Sequence, residues 1–128
     1  MIAVIFEVEP SLDGHAKYLE HAAALRPLLE NIDGFISVER FQSLSSPGKL
    51  LSLSFWRDEA AVRAWREHAE HRATQAEGRA GVFDNYRLRV ATVLRDYGLF
   101  ERSEAPPFHP PIALPGTTCP ISPATGAA

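Results

Sequence analysis

A chain of 128 residues lies within the usual size of about 100–200 residues for one domain, so one hydrophobic core is expected. Apolar residues make up 45% and charged residues 23% of the chain, a balance typical of folded globular proteins that excludes disorder throughout. The net charge is −3 and the arginines are scattered, so nucleic-acid binding has no support.

The N-terminus and the cysteine content favour the cytoplasm. The apolar run Met1–Phe6 is shorter than a membrane span of about 20 residues and lacks the basic start of a signal peptide, so no membrane association is expected. Cys119 is the single cysteine, which excludes an intramolecular disulfide and a multi-cysteine zinc site. These features predict a cytoplasmic protein.

The chain begins with a predicted strand and a predicted helix. Ile2–Val8 is rich in β-branched and aromatic residues and predicts a strand buried on both faces, because Glu7 is its only polar residue. The helix that follows has Ser11 or Asp13 as candidate N-caps, and Pro27 is expected to kink or restart it near its end. Its expected inward face consists of apolar residues at helical spacing: Leu12, Ala16, Leu19 and Ala23.

A hairpin is predicted next. Phe35–Phe41 alternates as a strand does, and this alternation places Phe35 on the side opposite Val38 and Arg40. The turn residues Ser45-Ser46-Pro47-Gly48 then predict that Lys49–Arg57 returns as an antiparallel partner.

A second helix and a final strand complete the predicted domain. Asp58 is the expected N-cap of the helix, which is expected to end near Gly78 or Gly81. Asn85–Asp96 has apolar residues at every second position and predicts a long strand. The helix carries one apolar stripe, which comprises Val62, Trp65, Ala69, Ala73 and Ala76.

The C-terminal segment differs in composition from the rest of the chain. Seven prolines occur among the 25 residues from Glu104 to Ala128, without helical or strand periodicity, so this segment cannot build a core. The sequence therefore predicts one domain at residues 1–100 and a proline-rich tail at residues 101–128.

Two segments within the predicted βαββαβ order are distinctive. Gly34-Phe35-Ile36-Ser37 follows the first helix, and Ser54-Phe55-Trp56-Arg57-Asp58-Glu59-Ala60 leads to Trp65. In this combination the chain, over roughly residues 1–98, resembles the antibiotic biosynthesis monooxygenase (ABM) domain of the dimeric α/β-barrel superfamily. The resemblance implies an α+β, ferredoxin-like subunit with a four-stranded antiparallel sheet. It also implies a homodimer in which two sheets face each other, and the partner would cover the second apolar face of the first strand.

The same resemblance implies an activity. ABM relatives include oxygenases without a cofactor that oxidise phenols or quinols, and enzymes that bind and degrade haem. We therefore expect a cofactor-independent monooxygenase that acts on a small aromatic or quinol-like substrate with O2. The alternatives are a haem-binding or haem-degrading monooxygenase, and a non-catalytic dimer that binds a small molecule.

Five side chains are candidates for the site. Trp65 and His68 are the candidate catalytic residues, since the family has a pocket-lining tryptophan in this helix and His68 lies one helical turn further on. Tyr18, His15 and His71 are candidates for substrate binding, with His71 pointing nearly opposite to Trp65. The alternative for Trp65 is a core position, and for the other four it is a boundary or surface position.

Two further expectations concern cofactors and polar strand residues. A histidine of the second helix is the axial haem ligand in haem-degrading relatives and acts there with an asparagine of the first strand, but Ile2–Glu9 contains no asparagine. No metal or nucleotide motif is present, so no bound cofactor is expected. Polar groups inside a barrel are costly unless they are paired or face a cavity. The polar strand residues are therefore candidates for lining a binding site or for hydrogen bonds between subunits, and the alternative for each alone is an exposed or paired strand position: Glu7, Glu39, Arg40, Ser52 and Ser54.

Overall fold

The computed structural model describes residues 1–68 and 81–107. The chain divides into two compact units, Met1–Val93 and Leu94–Ala128, while the predicted boundary at residue 100 stays a prediction. The first unit has the predicted order of elements, with the following bounds: β1 (Ile2–Pro10), α1 (His15–Glu30), β2 (Phe35–Gln42), β3 (Leu50–Trp56), α2 (Glu59–Arg66) and β4 (Phe83–Thr92).

The four strands form one antiparallel sheet in the order β2-β3-β1-β4. Side chains of paired residues point to the same face of a sheet, so the pairing register defines which residues form rows across it. One face, here called the helix-facing side, carries four such rows: Phe35–Trp56–Ile2–Thr92, Val38–Ser54–Val4–Val90, Arg40–Ser52–Phe6–Leu88 and Gln42–Leu50–Val8–Tyr86.

Both α1 and α2 pack on the helix-facing side, and the core there is divided into two clusters. At one end of the sheet Ile2 and Trp56 pack with Leu29 of α1 and Ala61 of α2. At the other end the buried cluster comprises Val8, Tyr18 and Leu50. The tightest packing therefore lies in the two outer rows of the sheet, and the two middle rows lie between the clusters.

The junction between β3 and α2 is fixed by polar contacts. Asp58 is the N-cap of α2 as predicted, because its Oδ1 accepts a hydrogen bond of 3.0 Å from the Ala61 N–H. That hydrogen bond and the adjacent Arg57 guanidinium hold the pKa of the Asp58 carboxyl below its ordinary value. Arg57 also binds both carboxylate oxygens of Asp33, at 3.1 and 3.0 Å. The α1–β2 loop is thereby tied to the start of α2.

Gly34 allows this loop to approach α2 closely. Its φ is +92°, a value that other residues rarely adopt, and a Cβ at this position would lie 2.7 Å from the Cβ of Ala61. Its carbonyl accepts a hydrogen bond of 2.7 Å from the Arg57 N–H. Glycine at position 34 is therefore required by both the backbone conformation and the packing.

The inward face of α1 differs from the predicted one. Ala16 and Ala23 are exposed, and Leu12 and Leu19 are 97% and 41% exposed. The buried residues of α1 are Tyr18 and Leu29 instead. The prediction failed because α1 has apolar residues on more than one face, so apolarity alone did not identify the face that packs against the sheet.

The ends of α1 also differ from the predicted ones. Gly14 is the N-cap residue and makes no side-chain cap, so neither Ser11 nor Asp13 caps the helix. The helix continues through Pro27 to Glu30 rather than restarting there, and the predicted kink at Pro27 stays a prediction.

Two further details of the prediction are wrong. The pairing register shifts between Phe35 and Ser37, so Phe35 packs edge-to-face on Trp56 at 5.3 Å on the same side as Val38 and Arg40. The helix α2 ends at Arg66, well before Gly78, and residues 69–80 lie outside the described part of the chain. No helix among the described residues is long and apolar enough to cross a membrane.

Candidate functional site

A cavity of about 240 Å³ lies between the helices and the helix-facing side of the sheet. The two middle rows contribute one wall, which includes Ser52 and Ser54. Because serine is small, these positions leave space between the two core clusters, where larger side chains would fill it. The opposite wall is formed by residues of α1 and α2, among them Tyr18, His21, Ala22, Leu25, Val62 and Trp65.

The lining is mostly apolar with a few polar groups on different elements. The Nε of Arg40 donates a hydrogen bond of 3.4 Å to the hydroxyl of Tyr18, and the Arg40 guanidinium carbon lies 6.0 Å from the centre of the Tyr18 ring. His21 lies one turn after Tyr18 and also lines the cavity. Ligand sites are typically apolar clefts of roughly 300–1,000 Å³ with a few such polar groups, so this smaller cavity suits a single small molecule.

The end of the cavity near Tyr18 is aromatic. The Tyr18 and Phe83 rings meet edge-to-face at 5.7 Å, and Phe6 lies 5.8 Å from the rings of both Phe83 and Tyr86. These contacts hold Tyr18 at 7% exposure, with its hydroxyl directed to Arg40. The Tyr18 hydroxyl is therefore fixed by packing rather than free to move.

The structure brings some of the five predicted site residues to the cavity and not others. Tyr18 and Trp65 line it. His68 lies beyond the C-cap of α2, with its ring centre 5.6 Å from that of Trp65, and it is not among the lining residues. His15 is exposed and lies outside the lining. His71 lies outside the described residues.

The polar strand residues divide between the two faces of the sheet. Arg40, Ser52 and Ser54 line the cavity. Glu7 belongs to the opposite side, where Lys49 and Arg89 bind its carboxylate at 2.9 and 2.8 Å. The hydrogen bond and the charge of Lys49, together with Arg89, hold the pKa of Glu7 below its ordinary value. Glu39 alternates with Arg40 and lies on that same opposite side.

His21, Arg26 and Arg66 line the cavity but were missed from the sequence. His21 and Leu25 follow Tyr18 at spacings of three and seven residues, as members of one helix face do. A helix face counted from Tyr18, rather than from Ala16 and Ala23, includes His21. Nothing in the sequence marks Arg26 and Arg66 apart from the other arginines.

Haem does not fit the described residues. Of the two candidate ligands, His68 does not line the cavity and His71 lies outside the described residues. β1 supplies no asparagine, and no described group of three His, Cys, Asp or Glu side chains is arranged to hold a metal. The cavity volume suits a small molecule rather than a macrocycle. No step of a reaction is therefore assigned to haem.

Residues 1–77 match the family model described as antibiotic biosynthesis monooxygenase. The chain belongs to the ABM family. Over 93 residues, 73% of this chain, it is 53% identical to a Pyricularia oryzae protein named jasmonate monooxygenase ABM. The match covers 43% of that relative, so this chain spans less than half of its length. Over 93 residues it is also 33% identical to the uncharacterized protein YqjZ of Bacillus subtilis, 79% of which is covered.

Solved structures with low sequence identity share the fold. Rv0793 from Mycobacterium tuberculosis matches with a TM-score of 0.68 at 18% identity, over 76% of this chain and 98% of that one. Protein SO0527 from Shewanella oneidensis matches with a TM-score of 0.64 at 13% identity, over 70% of this chain and 87% of that one. These matches confirm the predicted ferredoxin-like fold.

Replacing Ser52 tests whether ligands occupy this cavity. Ser52→Leu is expected to weaken the binding of 2-naphthol, followed by its fluorescence, at least about tenfold, because the larger side chain fills space that the ligand needs. The matched control is Ser37→Leu, since Ser37 lies on the opposite side of the neighbouring strand. Unchanged affinity in a folded Ser52→Leu protein would show that 2-naphthol binds elsewhere.

Proposed function

We propose that this ABM-family chain is a monooxygenase that oxidises a small, largely apolar molecule with O2 in the cavity between helices and sheet, without a bound cofactor. The observation that carries the proposal is the cavity itself, in which apolar walls meet the polar groups of Tyr18, His21 and Arg40. The fungal relative is larger, and its name gives jasmonate as its substrate. That name supports a small organic substrate here.

The chemistry without a cofactor requires an electron-rich substrate. The proposed class is an aromatic or quinol-like molecule with an acidic C–H or O–H, which reacts with O2 once a base has removed the proton. His21 is the proposed base, because it lines the cavity and imidazole is the side chain that most often serves as a general base. In the balanced reaction a CH2 group and O2 give a carbonyl and water, with all four electrons supplied by the substrate.

Three further residues have separate proposed roles in this reaction. The hydroxyl of Tyr18 donates a hydrogen bond to a negatively charged oxygen of the substrate. Trp65 provides a flat apolar surface for a ring. His68, next to Trp65, is proposed to hold that ring in position rather than to take the proton.

We also propose that the chain works as a homodimer in the cytoplasm, with a second copy on the side of the sheet opposite the helices. That side carries half-buried apolar residues from adjacent strands, namely Ile5, Leu51, Leu53 and Phe55, together with Phe41, which is 42% exposed. A patch of this kind matches the same patch on a second copy related by a two-fold axis. The single cysteine is consistent with a reducing compartment.

Oxygen consumption tests the activity. With a panel of phenols and quinols, the purified protein is expected to consume O2 in proportion to the substrate oxidised. His21→Ala is expected to lower kcat by about 10²–10⁴-fold, the usual contribution of a general base. Glu20→Gln, on the exposed face of the same helix, is the control and is expected to keep wild-type rates.

Three other results would contradict this assignment. Binding of panel members without O2 uptake supports the non-catalytic alternative. Turnover that requires added haem supports the haem alternative. Full activity of His21→Ala would show that His21 is not the base, and the cavity would remain the proposed site.

Light scattering tests the dimer. The expected mass is twice the chain mass of 14.1 kDa, and Leu53→Glu is expected to give the monomer because it places a charge in the apolar interface. Leu44→Glu changes a 99% exposed residue and serves as the control. A monomer mass for the wild-type protein at micromolar concentration would contradict the dimer.

A further inference from the structure

We propose that the molecule bound in the cavity is a monoanion, with one carboxylate held by Arg40 and Tyr18 and an apolar body that extends toward Trp65. The inference rests on the proposed function only in taking this cavity as the substrate site. It adds the chemical class of the substrate and a specificity-determining residue.

Arg40 lies inside the site without an acidic partner. It belongs to a middle row of the sheet, it is half-buried, and it lines the cavity. Within residues 1–68 and 81–107, no carboxylate lies within salt-bridge distance of its guanidinium. A partly buried cation is costly unless a charge or hydrogen-bond acceptor compensates it. A ligand carboxylate would supply that compensation.

The terminal nitrogens of Arg40 are available to bind a carboxylate. Its Nε is directed to the Tyr18 hydroxyl, and its terminal nitrogens make no hydrogen bond to a described residue. The two terminal nitrogens of a guanidinium present parallel N–H donors that match the two oxygens of a carboxylate. Tyr18 fixes the orientation of this fork, because its own ring is held by Phe6 and Phe83.

The other charged residues around the cavity are positive, as Arg40 is. Arg26 and Arg66 line it from α1 and α2, and no lining residue of the described chain is acidic. Arg26 is partly compensated, because its Nε lies 3.3 Å from the Glu30 carboxylate. A positive potential in a largely apolar cleft attracts a single negative group on an otherwise apolar molecule.

On the opposite side of the sheet, an arginine pairs with a carboxylate of the protein itself. There the Nη1 of Arg89 lies 2.8 Å from the Glu7 carboxylate, which Lys49 also binds. That carboxylate is supplied by the protein, so no ligand is needed. No carboxylate among the described residues pairs with Arg40 in this way. This difference indicates that Arg40 serves ligand recognition rather than folding.

The apolar lining determines the orientation of the ligand. Arg40 and Tyr18 lie toward the cluster of Val8 and Leu50, whereas Trp65 packs against the cluster of Trp56 and Leu29. The acid group is therefore placed at the first end, and the ring or chain of the ligand at the second.

The test compares two ligands of nearly equal shape, 2-naphthoate and its neutral analogue 2-naphthamide, by calorimetry or by quenching of tryptophan fluorescence. The wild-type protein is expected to bind the acid at least about tenfold more tightly, which corresponds to about 1.4 kcal/mol.

Arg40→Met is expected to remove this preference while changing the affinity for the amide less than about threefold, since the methionine keeps the apolar stem. Arg40→Lys is expected to restore part of the preference, because it keeps the charge without the planar fork. Arg87→Met, on the opposite side of the sheet, is the control and keeps the wild-type preference.

The proposal is overturned if the wild-type protein binds acid and amide equally well, a result that needs no variant. It is also overturned if Arg40→Met weakens both ligands equally, which would indicate that Arg40 maintains the shape of the cavity. Binding requires no turnover, so the two proposals fail separately. A carboxylate preference without O2 consumption would refute the monooxygenase and keep the carboxylate site, whereas O2 consumption without the preference would do the reverse.

Discussion

The gap between the two core clusters is the feature on which the site depends. Large side chains pack at the two ends of the helix-facing side of the sheet, around Trp56 at one end and around Val8 at the other. Between them, β3 presents Ser52 and Ser54 where a continuous core would have larger residues. Protein interiors are otherwise close-packed, so two small residues in adjacent rows leave a cavity that the neighbouring clusters keep open.

The alternation of side chains along each strand separates the two roles of the sheet. Successive residues of β1 face opposite sides, so Phe6 contacts the cavity while Glu7 pairs with Lys49 and Arg89 on the other side. The helix-facing side is the one assigned to the substrate, and the other is assigned to a second copy of the chain. A substitution on one side is accordingly expected to leave the other role intact.

Periodicity and turn chemistry predicted most of the fold. The order of helices and strands along the chain, the hairpin and the Asp58 cap follow from local patterns, and the structure confirms them. The inward face of α1 did not follow, because alanine and leucine occupy several faces of that helix and the packing partner decides between them. The shift at Ile36 was missed for the same reason, since the pairing of Phe35 with Trp56 is a long-range contact that no local alternation records.

The site was only partly predictable. Arg40, Ser52 and Ser54 were recognised as polar residues that require a cavity or a partner, and the structure places all three at the cavity. His21 was overlooked because it looks like a surface residue in a helix whose orientation was assigned wrongly. The ABM resemblance supplied Trp65, but it does not distinguish the substrate, because members of one fold family carry out different reactions.

Methyl-labelled NMR spectra recorded with 2-naphthol test the central claim most directly, namely that ligands bind on the helix-facing side of the sheet. Val4, Val38 and Val90 report on that side, and Ile5, Leu51 and Leu53 report on the opposite side of the same sheet. The account predicts ligand-dependent shifts of the three valine signals, with the signals of Ile5, Leu51 and Leu53 unchanged. Shifts confined to Ile5, Leu51 and Leu53 would contradict it.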